Sequence, residues 1–163
     1  GNAQGHPLIF IPGALLKVII DEAETAAPEE CCGLLVGRNW TEGQSDNDLV
    51  VTRVAPSTNV IEGDPLKSFE VDPKLRFDLM REIKDTDKRI IGVYHSHPDQ
   101  SAQPSARDLA QAWEPDLTWL IVSLINGQAV HTTAHALNTD ANQFEEVGLR
   151  TTDWQPYPQR ENT

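Results

Sequence analysis

Apolar residues recur along this chain with two different periods, and the changes of period mark its elements. Leu15, Leu16, Ile19, Ile20 and Ala23 fall at helical spacing behind Pro12, a residue suited to a first turn, so a helix is predicted over residues 12–26. Cys32-Gly33-Leu34-Leu35-Val36-Gly37 is a short apolar run bounded by turn formers and reads as a buried strand. Residues 41–48 hold Gly, Ser, Asn and acids without a period, as a loop or hairpin connection does, and residues 49–54 are β-branched and strand-like. Residues 56–73 are polar, carry three prolines and a glycine, and predict a segment that wraps the surface. A second helix follows over residues 73–85, where Leu75, Phe77, Leu79, Met80 and Ile83 favour one face.

The second half alternates faster. Residues 89–94 form a strongly apolar strand with two histidines at its end, residues 105–113 read as a helix, and residues 118–124 as a strand. Asn126-Gly127 is a hairpin turn signal, with further strands predicted over residues 130–137 and 144–151. The order helix, strands, helix, strand, helix, strands predicts an α/β fold with one mixed, largely antiparallel sheet flanked by helices, rather than a doubly wound parallel sheet. A chain of 163 residues supports one domain with a real core, here residues 1–151, with residues 152–163 expected as a flexible C-terminal tail.

Composition narrows the partners. Lys and Arg total 13 against 25 for Asp and Glu, a formal net charge of -12 that repels nucleic-acid phosphates and anionic lipid. The longest apolar run, near Trp119 to Ile125, is far short of the ~20 residues that cross a bilayer. No nucleic acid and no membrane are therefore expected, and a cytoplasmic location is the expectation. The only cysteines, Cys31 and Cys32, are adjacent; neighbours on an extended backbone point to opposite faces and pair badly, so no disulfide framework is expected. No Cys-x-x-Cys spacing offers a zinc–thiolate site either.

The chemistry concentrates in His95-Ser96-His97-Pro98, followed after six residues by Ser105-x-x-Asp108, with Glu30 upstream in P-E-E-C-C-G-L-L-V-G. Residues at i and i+2 of a strand share a face, so both imidazoles can converge on one ion. Asp108, on the first turn of the next helix, is the best third donor, and three protein ligands leave a tetrahedral metal one open position, as catalytic sites do. A purely structural account exists for each part. Ser105 and Asp108 form the S-x-x-D of a helix capping box, and a histidine often ends a strand as a satisfied polar residue. The joint spacing with an upstream glutamate favours the metal.

Together these residues resemble the JAMM motif of MPN+ metallopeptidases: Glu, then His-x-His-Pro, then Ser-x-x-Asp, over roughly residues 9–137. The resemblance implies the MPN fold, similar to the cytidine-deaminase-like α/β arrangement. It makes His95, His97 and Asp108 the ligands of one Zn2+ ion, with a bound water as nucleophile. It makes Glu30 the general acid/base and Ser105 the hydroxyl that stabilises developing charge, and gives Ser96 no chemistry. The compact P-E-E-C-C-G-L-L form resembles the prokaryotic branch. There the family implies a zinc peptidase or isopeptidase acting at the C-terminal tail of a ubiquitin-like or sulfur-carrier protein conjugate.

Other readings are a non-catalytic MPN scaffold, which generally lacks the metal motif, and a zinc peptidase on an unrelated amide, including one related to phage-tail proteins. A nucleobase deaminase would need His-x-Glu with Pro-Cys-x-x-Cys, and neither occurs. His131 and His135 share a strand face and are expected to be surface or packing histidines. Trp113, Trp119 and Trp154 are expected in the core or at its rim. His6, near the terminus, carries no assignment, and the oligomeric state is not encoded legibly.

Overall fold

The computed structural model describes residues 8–42, 45–112, 114–138, 140 and 142–153. His6, Trp113, Trp154 and the tail from residue 154 onward lie outside the described residues. In chain order the elements are β1 (Ile9–Pro12), α1 (Gly13–Ala26), β2 (Cys32–Asn39), β3 (Leu49–Ser57), α2 (Pro73–Ile83), β4 (Arg89–Pro98), α3 (Ala106–Gln111), β5 (Thr118–Ile125), β6 (Gln128–Asn138), β7 (Gln143–Val147) and β8 (Leu149–Thr152). The strands make one sheet in the order β7-β6-β5-β4-β2-β3-β1-β8. Pairs β2–β3, β2–β4, β5–β6 and β6–β7 are antiparallel, whereas β1–β3, β1–β8 and β4–β5 are parallel. This is the mixed sheet with flanking helices that the element order predicts.

Each face of the sheet carries its own core. On one face, Ile19 and Ala23 of α1 pack against Ile9, Ile11, Leu35, Val51, Ile91, Leu120, Val122 and Leu124. On the other, Leu79 of α2 and Ala112 close over Leu34, Val36, Val93, Trp119 and Phe69. Helix α1 starts one residue later than Pro12, which ends β1 and caps the helix from outside. Helix α2 is begun by Asp72, whose side chain accepts from the Lys74 N–H at 2.9 Å, with Pro73 in the first turn. Its inward stripe is buried Leu79 flanked by half-buried Leu75 and Ile83, at i, i+4 and i+8; Phe77 and Met80 are 61% and 56% exposed, so they leave the face the sequence assigns them.

The sequence predicts one strand over residues 144–151, and the structure divides it. Val147 pairs with Ala134 on β6, whereas Leu149 pairs with Ile9 on β1, at the opposite end of the strand order. One residue, Gly148, joins them, and its carbonyl accepts from the Ile9 N–H at 2.9 Å. Two residues of chain reach at most ~7 Å, so the sheet curls until its two edges nearly meet. A Cβ at position 148 would stand 2.6 Å from Leu8 Cδ2, so the Leu8 side chain would have to shift to admit one. Strand β8 includes Thr152, the first residue of the expected tail. No described helix is long and apolar enough to cross a membrane.

Candidate active site

Strand β4 runs in the middle of the sheet between β2 and β5 and continues through both histidines to Pro98. Alternation puts His95 and His97 on the face covered by α3 and turns Ser96 to the other. The loop after Pro98 then brings α3 back over that face, pinned at almost every step. Asp99 N–H donates to Leu124 O at 2.7 Å, the Ser123 hydroxyl to Gln100 O, and the Thr133 hydroxyl to Ala102 O at 2.7 Å. Since the Thr133 proton is engaged at Ala102, its oxygen accepts from His135 Nε2–H at 2.8 Å. Buried His135 thus supports the loop, while His131 is exposed on the same strand.

At the start of α3, Ser105 and Asp108 form both halves of a capping box. Asp108 N–H donates to Ser105 Oγ at 3.0 Å, and Ser105 N–H donates to Asp108 Oδ2 at 2.8 Å. The same carboxylate faces both imidazoles: Oδ1 is 3.3 Å from His95 Nε2, and Oδ2 is 3.2 Å from His97 Nε2. The two Nε2 atoms stand 3.0 Å apart. His97 Nδ1–H donates to Ser101 O at 2.9 Å, which orients the ring and turns Nε2 toward the cluster. His95 is held by packing instead, stacked on Phe69 at 4.4 Å between centroids with Trp119 edge-on at 5.5 Å.

These three donors fit a zinc ion. Bonds of ~2.0–2.1 Å to a tetrahedral ion place ligand atoms roughly 3.3 Å apart, close to the separations seen. All three residues are buried, and they are the only such group of His, Cys, Asp or Glu side chains among the described residues. A shared cation would meet both imidazole nitrogens and the carboxylate at once; without one, the carboxylate accepts hydrogen bonds from the imidazoles. The Asp108 carboxyl, though burial pushes it up, is held well below the usual range by its hydrogen bonds to both imidazoles. Burial pushes His95 down; it pushes His97 down too, but contacts with Asp108 and Ser101 prevail and leave His97 raised.

Glu30 ends the turn before β2, 4% exposed, with Oε1 buried and unpaired. Burial first, opposed by His97 and reinforced by Asp108, raises its carboxyl from the ordinary 4.5 to about 7. A buried carboxyl poised near neutrality beside a donor cluster is a proton acceptor in waiting. All five residues singled out in the sequence therefore gather on one side of β4. What the sequence did not reveal is their support: Phe69 against His95, the Ser101 carbonyl on His97, and Asn59, whose Nδ2–H donates to Glu30 O at 3.2 Å. None of these has a spacing signal, because each contact depends on how a loop folds back.

Residues 12–137 match the family described as prokaryotic homologs of the JAB domain. The chain belongs to that family. Its fold is the MPN arrangement. It is 34% identical over 97 residues to the desampylase of Haloferax volcanii, covering 59% of this chain and 63% of that protein, just under two thirds of its length. It is 30% identical over 116 residues to the CysO-cysteine peptidase of Mycobacterium tuberculosis, covering 71% of this chain and 73% of that one. The solution structure of protein DSY2949 from Desulfitobacterium hafniense matches with a TM-score of 0.75 and 28% identity, over 90% of this chain and 94% of that one.

Proposed function

We propose that this JAB-domain protein is a zinc-dependent peptidase or isopeptidase. Its substrate is an amide bond at the C-terminal tail of a ubiquitin-like or sulfur-carrier protein. The observation that carries the reading is the convergence of His95 Nε2, His97 Nε2 and Asp108 within 3.0–3.3 Å, beside a buried and unpaired Glu30 oxygen. The names of the relatives supply the substrate class: a desampylase, a CysO-cysteine peptidase and a TtuB-protein conjugate cleaving protease.

His95, His97 and Asp108 would hold the ion. Bound there, zinc lowers the pKa of a water from ~15.7 toward ~7 and polarises a carbonyl. Glu30 takes the proton from the attacking water and returns it to the departing amine, a shuttle for which a carboxyl near neutrality is well matched. Ser105 Oγ already accepts from Asp108 N–H, so its own proton is free to donate to the carbonyl oxygen as charge develops. Buried Phe69 and Trp119 keep bulk water away from the His95 side of the site.

The decisive experiment is turnover of carrier-protein conjugates by zinc-loaded protein, with Asp108→Ala as control. Cleavage after the carrier's terminal glycine, lost in the control, supports the reading. A zinc-loaded protein that cleaves other amides but no carrier conjugate would move the substrate elsewhere. A protein that binds no zinc would favour the scaffold reading.

A further inference from the structure

Glu30 lies outside every strand and helix, yet its main chain is gripped from three sides. Its N–H donates to Pro65 O at 2.8 Å, within the surface segment that follows β3. Its carbonyl accepts from Asn59 Nδ2–H at 3.2 Å. The next residue, Cys31, is tied to Ser96: Cys31 N–H donates to the Ser96 hydroxyl at 2.8 Å, and Ser96 N–H donates to Cys31 O at 3.2 Å.

The Ser96 contact is unusual in kind. With Cys32 opposite His95, the antiparallel register sets Cys31 opposite Ser96, where a regular rung would run from the Cys31 N–H to a backbone carbonyl. A side-chain oxygen takes that place, so the chain is still fastened to β4 just where it leaves the sheet to carry Glu30. Ser96 is fully buried and sits between the two histidines, so its two hydrogen bonds to Cys31 join the strand of the metal donors to the residue next to Glu30.

Asn59 is equally well defined. Its Nδ2 donates to Glu30 O and to Ser68 O at 3.0 Å, and its Oδ1 accepts from Ile61 N–H at 3.1 Å and Glu70 N–H at 2.9 Å. Two donors meet two carbonyls and one oxygen meets two amides, so the amide orientation has no competing solution. Asn59 thereby makes the surface segment and the Glu30 backbone one rigid piece.

We infer that Ser96 and Asn59 are positioning residues that place the Glu30 carboxylate against the donor cluster, Ser96 from the metal strand and Asn59 from the surface segment. The inference rests on the proposed catalytic role of Glu30 for its kinetic readout, and has a second readout that does not. Neither side chain touches the donor atoms, so removing either leaves the metal site intact. Misplacement of a catalytic group by about 1 Å costs on the order of 100-fold.

The test compares Ser96→Ala, Ser96→Thr and Asn59→Asp with the wild-type chain. Asn59→Asp keeps the acceptor for Ile61 and Glu70 but replaces the donors to Glu30 and Ser68. Expected for Ser96→Ala and Asn59→Asp are wild-type zinc stoichiometry and KM, with kcat lowered roughly 10- to 100-fold, and recovery in Ser96→Thr, which keeps a hydroxyl. In crystal structures of the zinc-free variants, the Glu30 carboxylate should lie about 1 Å from its wild-type place in Ser96→Ala and Asn59→Asp, and at its wild-type place in Ser96→Thr. Wild-type kcat together with an unmoved Glu30 carboxylate in Ser96→Ala would overturn the inference. If the wild-type protein cleaves no conjugate, the functional reading fails separately, and the Glu30 position alone decides the positioning claim.

Discussion

Gly33 and Tyr94 face each other across β2 and β4, and the tyrosine ring fills the space where a side chain at position 33 would stand. A Cβ on Gly33 would lie 2.4 Å from Cε2, Cζ and the hydroxyl oxygen of Tyr94. The ring cannot simply withdraw, because Tyr94 is fully buried and its hydroxyl donates to Glu22 Oε1 at 2.5 Å. Gly33→Ala should therefore destabilise the fold by about 1–3 kcal/mol through overpacking. A chemical-denaturation midpoint equal to that of the wild type would refute this.

Glu30→Gln should separate stability from activity. Because burial raises the folded carboxyl to about 7, the folded state of the zinc-free protein holds a proton that the unfolded chain releases near 4.5. Stability therefore falls as pH rises from about 4.5 to 7 and levels off above that window. The neutral amide removes this dependence. The zinc-free variant should match the wild type below about pH 4.5 and exceed it by on the order of 2–3 kcal/mol at about pH 8. Conjugate cleavage should fall on the order of 100- to 10,000-fold with zinc retained. A variant less stable than wild type at pH 8, or one with full turnover, would count against this account of Glu30.

Much of this fold and site is legible in the sequence, for identifiable reasons. His95 and His97 were legible because strand alternation has a period of two, so i and i+2 need no tertiary knowledge to share a face. Ser105 and Asp108 were legible because a capping box is local in sequence. Strand β1 was not, since Ile9-Phe10-Ile11 is too short to show a period and gains its place only by pairing with β3 and β8. The break at Gly148 was hidden for the same reason: residues 144–151 look continuous, and only the curl of the sheet sends their halves to opposite edges. Phe77 and Met80 misled because hydrophobicity alone cannot tell a buried stripe from an exposed one on a single helix.

Cys31 and Cys32 should behave as inert thiols. They are free, buried and on opposite faces of the sheet, Cys31 in the α1 core and Cys32 in the core beneath α2. Burial pushes both thiols up to about 12, leaving little thiolate at neutral pH. A thiol-specific reagent at about pH 8 should find no fast-reacting cysteine in the native protein and two after unfolding. Rapid native labelling of either would contradict the packing described.

Ser105 and Asp108 share a cap but differ in what they offer the site, and two substitutions should pull those roles apart. Ser105→Ala removes the acceptor for Asp108 N–H and the free hydroxyl proton, while Asp108 Oδ2 can still accept from the backbone at 105. It should cost about 1 kcal/mol of stability through the lost cap. It should also lower kcat roughly 100- to 1000-fold if the hydroxyl meets developing charge, with zinc still bound. Asp108→Asn keeps an oxygen able to accept from Ser105 N–H, so helix α3 can still start at Ala106. It removes the negative charge that faces His95 and His97 at 3.3 and 3.2 Å. Zinc affinity should drop on the order of 100-fold or more, read by metal analysis after dialysis against a chelator buffer. The pattern to look for is opposite losses: rate without metal loss in Ser105→Ala, and metal loss first in Asp108→Asn. Zinc retained in Asp108→Asn at wild-type affinity would remove Asp108 from the ligand set and reduce it to the helix cap alone.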